Sequence, residues 1–184
     1  MSKIYLIRHG KTTANEQHLY CGSTDLSLSQ KGREELATIK YDIDKAEVCF
    51  VTSGMKRTQE TLEILFGDVE YSIDRRFKEI DFGIFEMKSY NGLKDTAEYQ
   101  QWLEGDNHFN VPPQGESGAQ MEQRVLKAFE EIILSEKDTV IVTHGGVIAS
   151  IMAHYFKEEN KNIYQWQPQQ GHGYLLENNT YTIL

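Results

Sequence analysis

The chain has 184 residues and a formal net charge of −9, from 28 acidic side chains against 19 basic ones. That length buries roughly two-thirds of the unfolded surface in a single core, so one domain over residues 1–184 is expected. The acidic balance leaves no electrostatic footprint for nucleic acid or an anionic membrane, so any bound anion must meet a local positive pocket.

Ile4, Tyr5, Leu6 and Ile7 form a short apolar run closed by Gly10, which predicts a buried strand ending in a turn. Lys3 and that run are too short for a signal peptide and no other apolar run reaches a membrane-span length, so a cytoplasmic location without membrane is expected. Arg8 and His9 therefore stand at a strand's carboxyl end, where open α/β sheets bind ligands. The polar residues 16–25, punctuated by Gly22, predict a loop over that end. A helix is predicted from Ser29 across residues 30–41, with Leu36, Ile39 and Ile43 on one face. Residues 46–52 form the second predicted strand, and within it Cys49 is expected as a buried reduced thiol; neither it nor Cys21 has metal-ligand spacing.

Met55, Thr58, Leu62 and Leu65 mark the buried face of a helix beginning after Ser53 and Gly54, which puts Arg57 in its first turn. Residues 69–74 alternate weakly as a strand. Residues 75–90 then mix Glu79, Asp81, Gly83 and Glu86 with Phe77, Phe82 and Phe85, and loops of that length are usually functional. Asp95 or Thr96 can cap a short helix carrying Tyr99, Trp102 and Leu103, and residues 111–115 force a turn. Ser117 and Gln120 match a capping box ahead of the strongest helical period, Met121, Val125, Ala128, Phe129, Ile132 and Ile133. Residues 138–143 repeat the first pattern: an apolar strand that delivers His144, Gly145 and Gly146 to its carboxyl end. An apolar helix over residues 147–156 and a hairpin turning at Asn178 and Asn179 finish the chain.

Collected at strand ends and adjoining loops are Arg8, His9, Asn15, Arg57, Glu79 and His144, with Gly10, Gly22 and Gly145 exposing backbone N–H groups. Two guanidiniums match phosphoryl oxygens bidentately, and glycines let the main chain approach, so the group is a phosphate site. There is no P-loop, and the six histidines lack metal-ligand spacing. The site supplies its own positive charge, so neither metal nor other cofactor is expected. A histidine among arginines points to covalent catalysis, because Arg8 and Arg57 disfavour the imidazolium and keep His9 in its nucleophilic form. Glu79 can hand a proton to the leaving alkoxide and later take one from water. His144, if protonated, would add positive charge where the transition-state oxygens develop theirs.

These residues resemble the histidine phosphatase superfamily, also called phosphoglycerate mutase-like, over nearly the whole chain. Leu6-Ile7-Arg8-His9-Gly10 with Asn15, then Cys21-Gly22, resembles its opening motif. Residues 52–58 around Arg57 resemble the second-arginine segment, residues 77–83 around Glu79 the proton-donor segment, and residues 142–146 around His144 the second-histidine segment. The resemblance implies a three-layer α/β/α sandwich with a mostly parallel central sheet. It implies a phosphohistidine intermediate on His9, catalytic roles for Glu79, His144, Arg8 and Arg57, and phosphate binding by Arg8, Asn15, Cys21, Gly22, Arg57, His144 and Gly145. Glu116, in a segment similar to the one opening the family's long helix, is expected to organise a loop. The chain departs from the family where Met87 stands in place of a common glycine, Gly54 of a proline and Cys21 of a hydroxyl residue.

A phosphatase acting on a small-molecule phosphate ester is favoured over a cofactor-dependent phosphoglycerate mutase, because the interval from Glu79 to His144 is short and Ile80, Asp81 and Phe82 follow the donor. The layout is similar to alpha-ribazole phosphate phosphatases and to broad-specificity phosphatases. A non-catalytic phospho-ligand binder is the alternative of another class, and the intact set of residues counts against it. Tyr20, Phe82, Phe85, Tyr90, Trp102, His108 and Phe109, with His172, are candidates for a pocket rim suited to a ring-bearing leaving group. Aromatics that merely pack the loop are the commoner outcome.

Overall fold

The computed structural model describes residues 2–184. One six-stranded sheet runs in the order β3-β2-β4-β1-β5-β6. Strands β1 (Ile4–Arg8), β2 (Cys49–Thr52), β3 (Ser72–Ile73) and β4 (Thr139–Thr143) are parallel, and β5 (Gly173–Glu177) and β6 (Thr180–Ile183) close one edge antiparallel. The helices are α1 (Thr13–Glu16), α2 (Gln30–Ala37), α3 (Lys56–Phe66), α4 (Tyr90–Leu93), α5 (Ala97–Leu103), α6 (Gly118–Leu134) and α7 (Gly145–Tyr155).

Strand side chains alternate between two apolar layers, and this makes the sandwich. Ile7, Phe50, Val140 and Val142 pack with Leu62 and Phe66 of α3 on one face. Leu6, Val51 and Ile141 pack with Met121, Val125 and Phe129 of α6 and with Val147, Ile148 and Ile151 of α7 on the other. The expected stripe of α6 is therefore core, and its start carries both capping-box bonds, Ser117 N–H to Gln120 Oε1 at 2.8 Å and Gln120 N–H to Ser117 Oγ at 3.2 Å. Such a cap is worth about 1 kcal/mol. Asn178 and Asn179 both adopt left-handed backbone, φ 51° and 59°, as the two-residue hairpin turn between β5 and β6 demands. Among the described residues no helix is long and apolar enough to cross a membrane.

Three expectations are corrected. Helix α2 stops at Ala37 instead of reaching residue 41, because Thr38 Oγ1 donates to the Glu35 carbonyl at 2.7 Å and competes for the helical ladder. Only Ser72 and Ile73 of residues 69–74 pair with β2, at an exposed sheet edge. Cys49 is exposed, not buried: β3 pairs only with Val51 and Thr52, so Cys49 has no strand beside it on that side of β2.

Candidate active site

Because Arg8 and Thr143 are register partners in adjacent parallel strands, the next residues, His9 and His144, leave the sheet side by side. Their rings stand 5.1 Å apart, edge to face, and both are buried. The His9 Nδ1 lies 2.6 Å from the Gly10 carbonyl, which can only accept, so Nδ1 carries the proton and Nε2 keeps a free lone pair. Burial first, and Arg57 next, hold both imidazoles well below their usual range, so both are neutral at neutral pH.

Arg57, in the first turn of α3, is 1% exposed, and three of its five N–H donors are held by named acceptors. Its Nη1 donates to the Thr24 carbonyl and its Nη2 to that of Gly22, each at 2.8 Å, and its Nε donates to His144 Nδ1 at 3.3 Å. With Nδ1 accepting, His144 donates from Nε2 to Ser53 Oγ at 2.8 Å; Ser53 in turn donates to Thr58 Oγ1 at 3.1 Å, and Thr58 to the Met55 carbonyl at 2.7 Å. The chain of donors is complete with a neutral ring. The condition under which His144 would add positive charge is disfavoured in the free protein, because burial first and Arg57 next hold its ring well below the usual range. Arg8 donates through Nη1 to the Pro168 carbonyl at 2.8 Å, while its buried Nε has no partner. An orphaned guanidinium N–H beside the amino end of α7 is what an arriving anion would satisfy.

Glu79 accepts from the Ile80 N–H and, through its other oxygen, from the Gly146 N–H, each at 3.0 Å. A side chain at Gly146 would come within 2.4 Å of that carboxylate, so only glycine lets helix and carboxylate meet. The backbone carrying Glu79 is held by Arg124 of α6, which donates to the carbonyls of Arg76 (2.6 Å), Lys78 (2.7 Å) and Glu79 (3.2 Å). Arg124 is itself gripped bidentately by Glu116 at 2.7 Å twice, which makes Glu116 the loop organiser it was expected to be. The facing loop, residues 22–24, hangs on Glu86, whose carboxylate accepts from the N–H groups of Gly22 (2.9 Å) and Ser23 (3.0 Å) and from Thr24 Oγ1 (2.6 Å). Gly22 admits no side chain there, since a Cβ would fall 1.6 Å from the Ile80 carbonyl oxygen.

The expected residues thus converge. Arg8, His9, Arg57, Glu79, His144 and Gly145 form one constellation. Gly22 and Cys21 lie on the loop against Arg57, with burial raising the Cys21 thiol above its usual range. Asn15 lines a cavity together with Arg8; its Oδ1 closes the capping box of α1, and its amide N–H groups have no partner among the described residues. The aromatic rim is corrected in part: Tyr20, Phe82, Phe85 and Trp102 cluster around Tyr99 as a small core under α4 and α5, and the Tyr20 hydroxyl bonds that of Tyr99, while Tyr90 and Phe109 stand exposed. His108 pairs with Glu122 of α6 at 3.0 Å, and His172 lies 3.2 Å from the Leu184 carbonyl, outside the constellation.

The sequence reading missed Ser53 and Arg124. A charge beside the apolar stripe of α6, and hydroxyls on the buried face of α3, were the available signals.

Comparison with known proteins agrees with this geometry. The family model for the histidine phosphatase superfamily (branch 1) matches residues 4–181. A probable phosphoglycerate mutase GpmB of Erwinia tasmaniensis is 29% identical over 162 residues, covering 82% of this chain and 74% of that one. An adenosylcobalamin/alpha-ribazole phosphatase of Escherichia coli is 27% identical over 180 residues, covering 92% of this chain and 86% of its own. The crystal structure of the alpha-ribazole phosphatase from Shigella flexneri superposes with a TM-score of 0.84 at 25% identity, over 99% of this chain and 94% of that one. Two strand ends that each deliver a histidine into a nest of arginines, and a family match over almost the full length, lead to one conclusion: the chain belongs to the histidine phosphatase superfamily, branch 1.

Proposed function

We propose that the protein is a metal-independent phosphatase that hydrolyses a small-molecule phosphate monoester through a phosphohistidine on His9. The observation that carries this is the His9 ring itself: anchored by Nδ1–H to the Gly10 carbonyl, neutral, and presenting Nε2 beside two guanidiniums. Arg8 and Arg57 bind the phosphoryl oxygens together with the Gly145 N–H and the Asn15 amide. His9 Nε2 attacks phosphorus in line, the ester P–O bond breaks, and Glu79 gives its proton to the leaving alkoxide. Water then loses a proton to Glu79 and attacks the phosphohistidine; the P–N bond breaks, inorganic phosphate departs and Nε2 regains its lone pair. His144 orients Arg57 by accepting its Nε–H.

The alpha-ribazole phosphatase and the phosphoglycerate mutase among the relatives mark the two outcomes open to a phosphohistidine. Supporting the phosphatase is the segment between Glu79 and β4, which holds a 3-10 turn, α4, α5 and α6, little material to shut water out. The test is phosphate release from p-nitrophenyl phosphate with chelator present, for the wild type and His9→Ala. Chelator-resistant release lost in the variant is expected; release sustained by His9→Ala, or none from the wild type, overturns the reading. With 3-phosphoglycerate, free phosphate in excess over the isomer is expected, and the reverse would make the protein a mutase.

A further inference from the structure

The loop over residues 22–24 is held from both sides. Its carbonyls hold Arg57: Thr24 and Gly22 each accept one N–H from a terminal nitrogen, while His144 Nδ1 accepts the Nε–H. A guanidinium has five N–H donors, so one N–H on each terminal nitrogen is left, and the three contacts fix the plane in which that pair points. Such a pair matches two oxygens of one phosphoryl group.

The backbone N–H groups of the same loop all end on Glu86. Its carboxylate accepts from Gly22 at 2.9 and 3.1 Å, from Ser23 at 3.0 Å and from Thr24 at 3.2 Å, and also from the Thr24 hydroxyl at 2.6 Å. From its own segment it accepts the Phe82 N–H at 3.1 Å. Every partner is a donor and both oxygens are used, so the position calls for a group that only accepts. Glu86 is brought there by pairing between residues 19–20 and 87–89. Met87 N–H donates to the Tyr20 carbonyl at 2.7 Å and Tyr20 N–H to that of Lys88 at 3.0 Å, and Leu19 and Ser89 form an antiparallel bridge.

We propose that Glu86 is a positioning residue for phosphate binding: it fixes the loop whose two carbonyls hold the Arg57 guanidinium, and so keeps the remaining pair of N–H groups aimed at the phosphoryl group. Its effect reaches the site through Gly22 and Thr24, not by contact with phosphate. Because Glu86 lies on the segment that carries Glu79, one carboxylate sets the phosphate-binding arginine and the proton donor in register. This rests on the phosphate pocket of the proposed function and deepens it. A glutamine there is equal in size but has a single acceptor oxygen. Its amide would turn two N–H donors against N–H groups already pointing inward, so the loop must move.

Calorimetric titration with inorganic phosphate, for the wild type and Glu86→Gln, tests it. Kd is expected to rise about tenfold in the variant, the scale of one charge-assisted hydrogen bond, with the circular dichroism spectrum retained. With p-nitrophenyl phosphate the loss should fall on KM, and kcat should change by less than about threefold, as for binding made alike in the ground and transition states. General loosening of the Glu79 segment would lower kcat instead, so the split separates positioning from support of the fold. Thr24→Val removes the 2.6 Å bond and leaves the carboxylate in place, and should raise Kd about threefold; it decides the matter if Glu86→Gln does not fold. A Kd changed by less than about threefold in folded Glu86→Gln, or a loss confined to kcat, overturns the positioning role; so does an unchanged Kd in Thr24→Val where Glu86→Gln does not fold. Binding needs no turnover. A wild type that binds phosphate more tightly than the variant yet releases none from p-nitrophenyl phosphate would overturn the phosphatase alone, and a wild type that binds no phosphate would overturn both.

Discussion

Acidification is expected to cost this protein stability through two particular rings. His9 and His144 are buried and neutral in the folded chain, with burial as the first cause and Arg57 the second. In the unfolded chain each takes up a proton below about pH 6.5. The folded-state values are depressed, so the stability they contribute is fully present above that pH and is lost as pH falls below it, where the unfolded chain binds more protons. Between about pH 7.5 and about pH 5.5 each ring costs about 1.4 kcal/mol, and the two together about 3 kcal/mol. The assay is urea unfolding of the wild type and of His9→Gln/His144→Gln at both pH values. Carboxylates and the other histidines are common to both proteins and cancel in the difference. The wild type should lose about 3 kcal/mol more than the double variant over this interval. Equal losses would refute the neutral, buried pair.

Arg124→Met should leave three carbonyls of the Glu79 loop and the Glu116 carboxylate without their donor, costing about 3 kcal/mol in urea unfolding and lowering kcat at least about tenfold. Arg124→Lys, lacking the fork, should rescue neither fully. Gly22→Ala must displace the loop from the Ile80 carbonyl, and with it two acceptors of Arg57, so kcat/KM for p-nitrophenyl phosphate should fall about a hundredfold with the fold retained by circular dichroism. Activity near wild type in Gly22→Ala would show that the loop tolerates the shift.

Much of this architecture was legible because its parts are local. The apolar runs before Arg8 and before His144 are strands because a parallel sheet buries both their faces, and the Ser117 and Gln120 spacing writes the start of α6 directly. The site's members were legible from residue type, since two strand ends bearing His-Gly leave few uses for neighbouring arginines. What was not legible depends on partners distant in sequence. Arg124 reaches loop carbonyls more than forty positions away, and Ser53 meets His144 across 91 residues. The neutral state of His144 followed from burial, which no local pattern reports. Met87 shows the converse case: its φ of 59° is a conformation glycine adopts freely, which gives a physical reason for the glycine common there in the family.

The central claim is that phosphorus is transferred to His9 Nε2. Mixing the protein with p-nitrophenyl phosphate, quenching in alkali where a phosphoramidate survives, and mapping the adduct by peptide mass spectrometry tests it most directly. The account predicts one phosphoryl group on the peptide containing His9, lost on acid treatment and absent in His9→Ala. An adduct on another residue, or hydrolysis proceeding at full rate with no adduct trapped even when the substrate is turned over within the quench time, would contradict it.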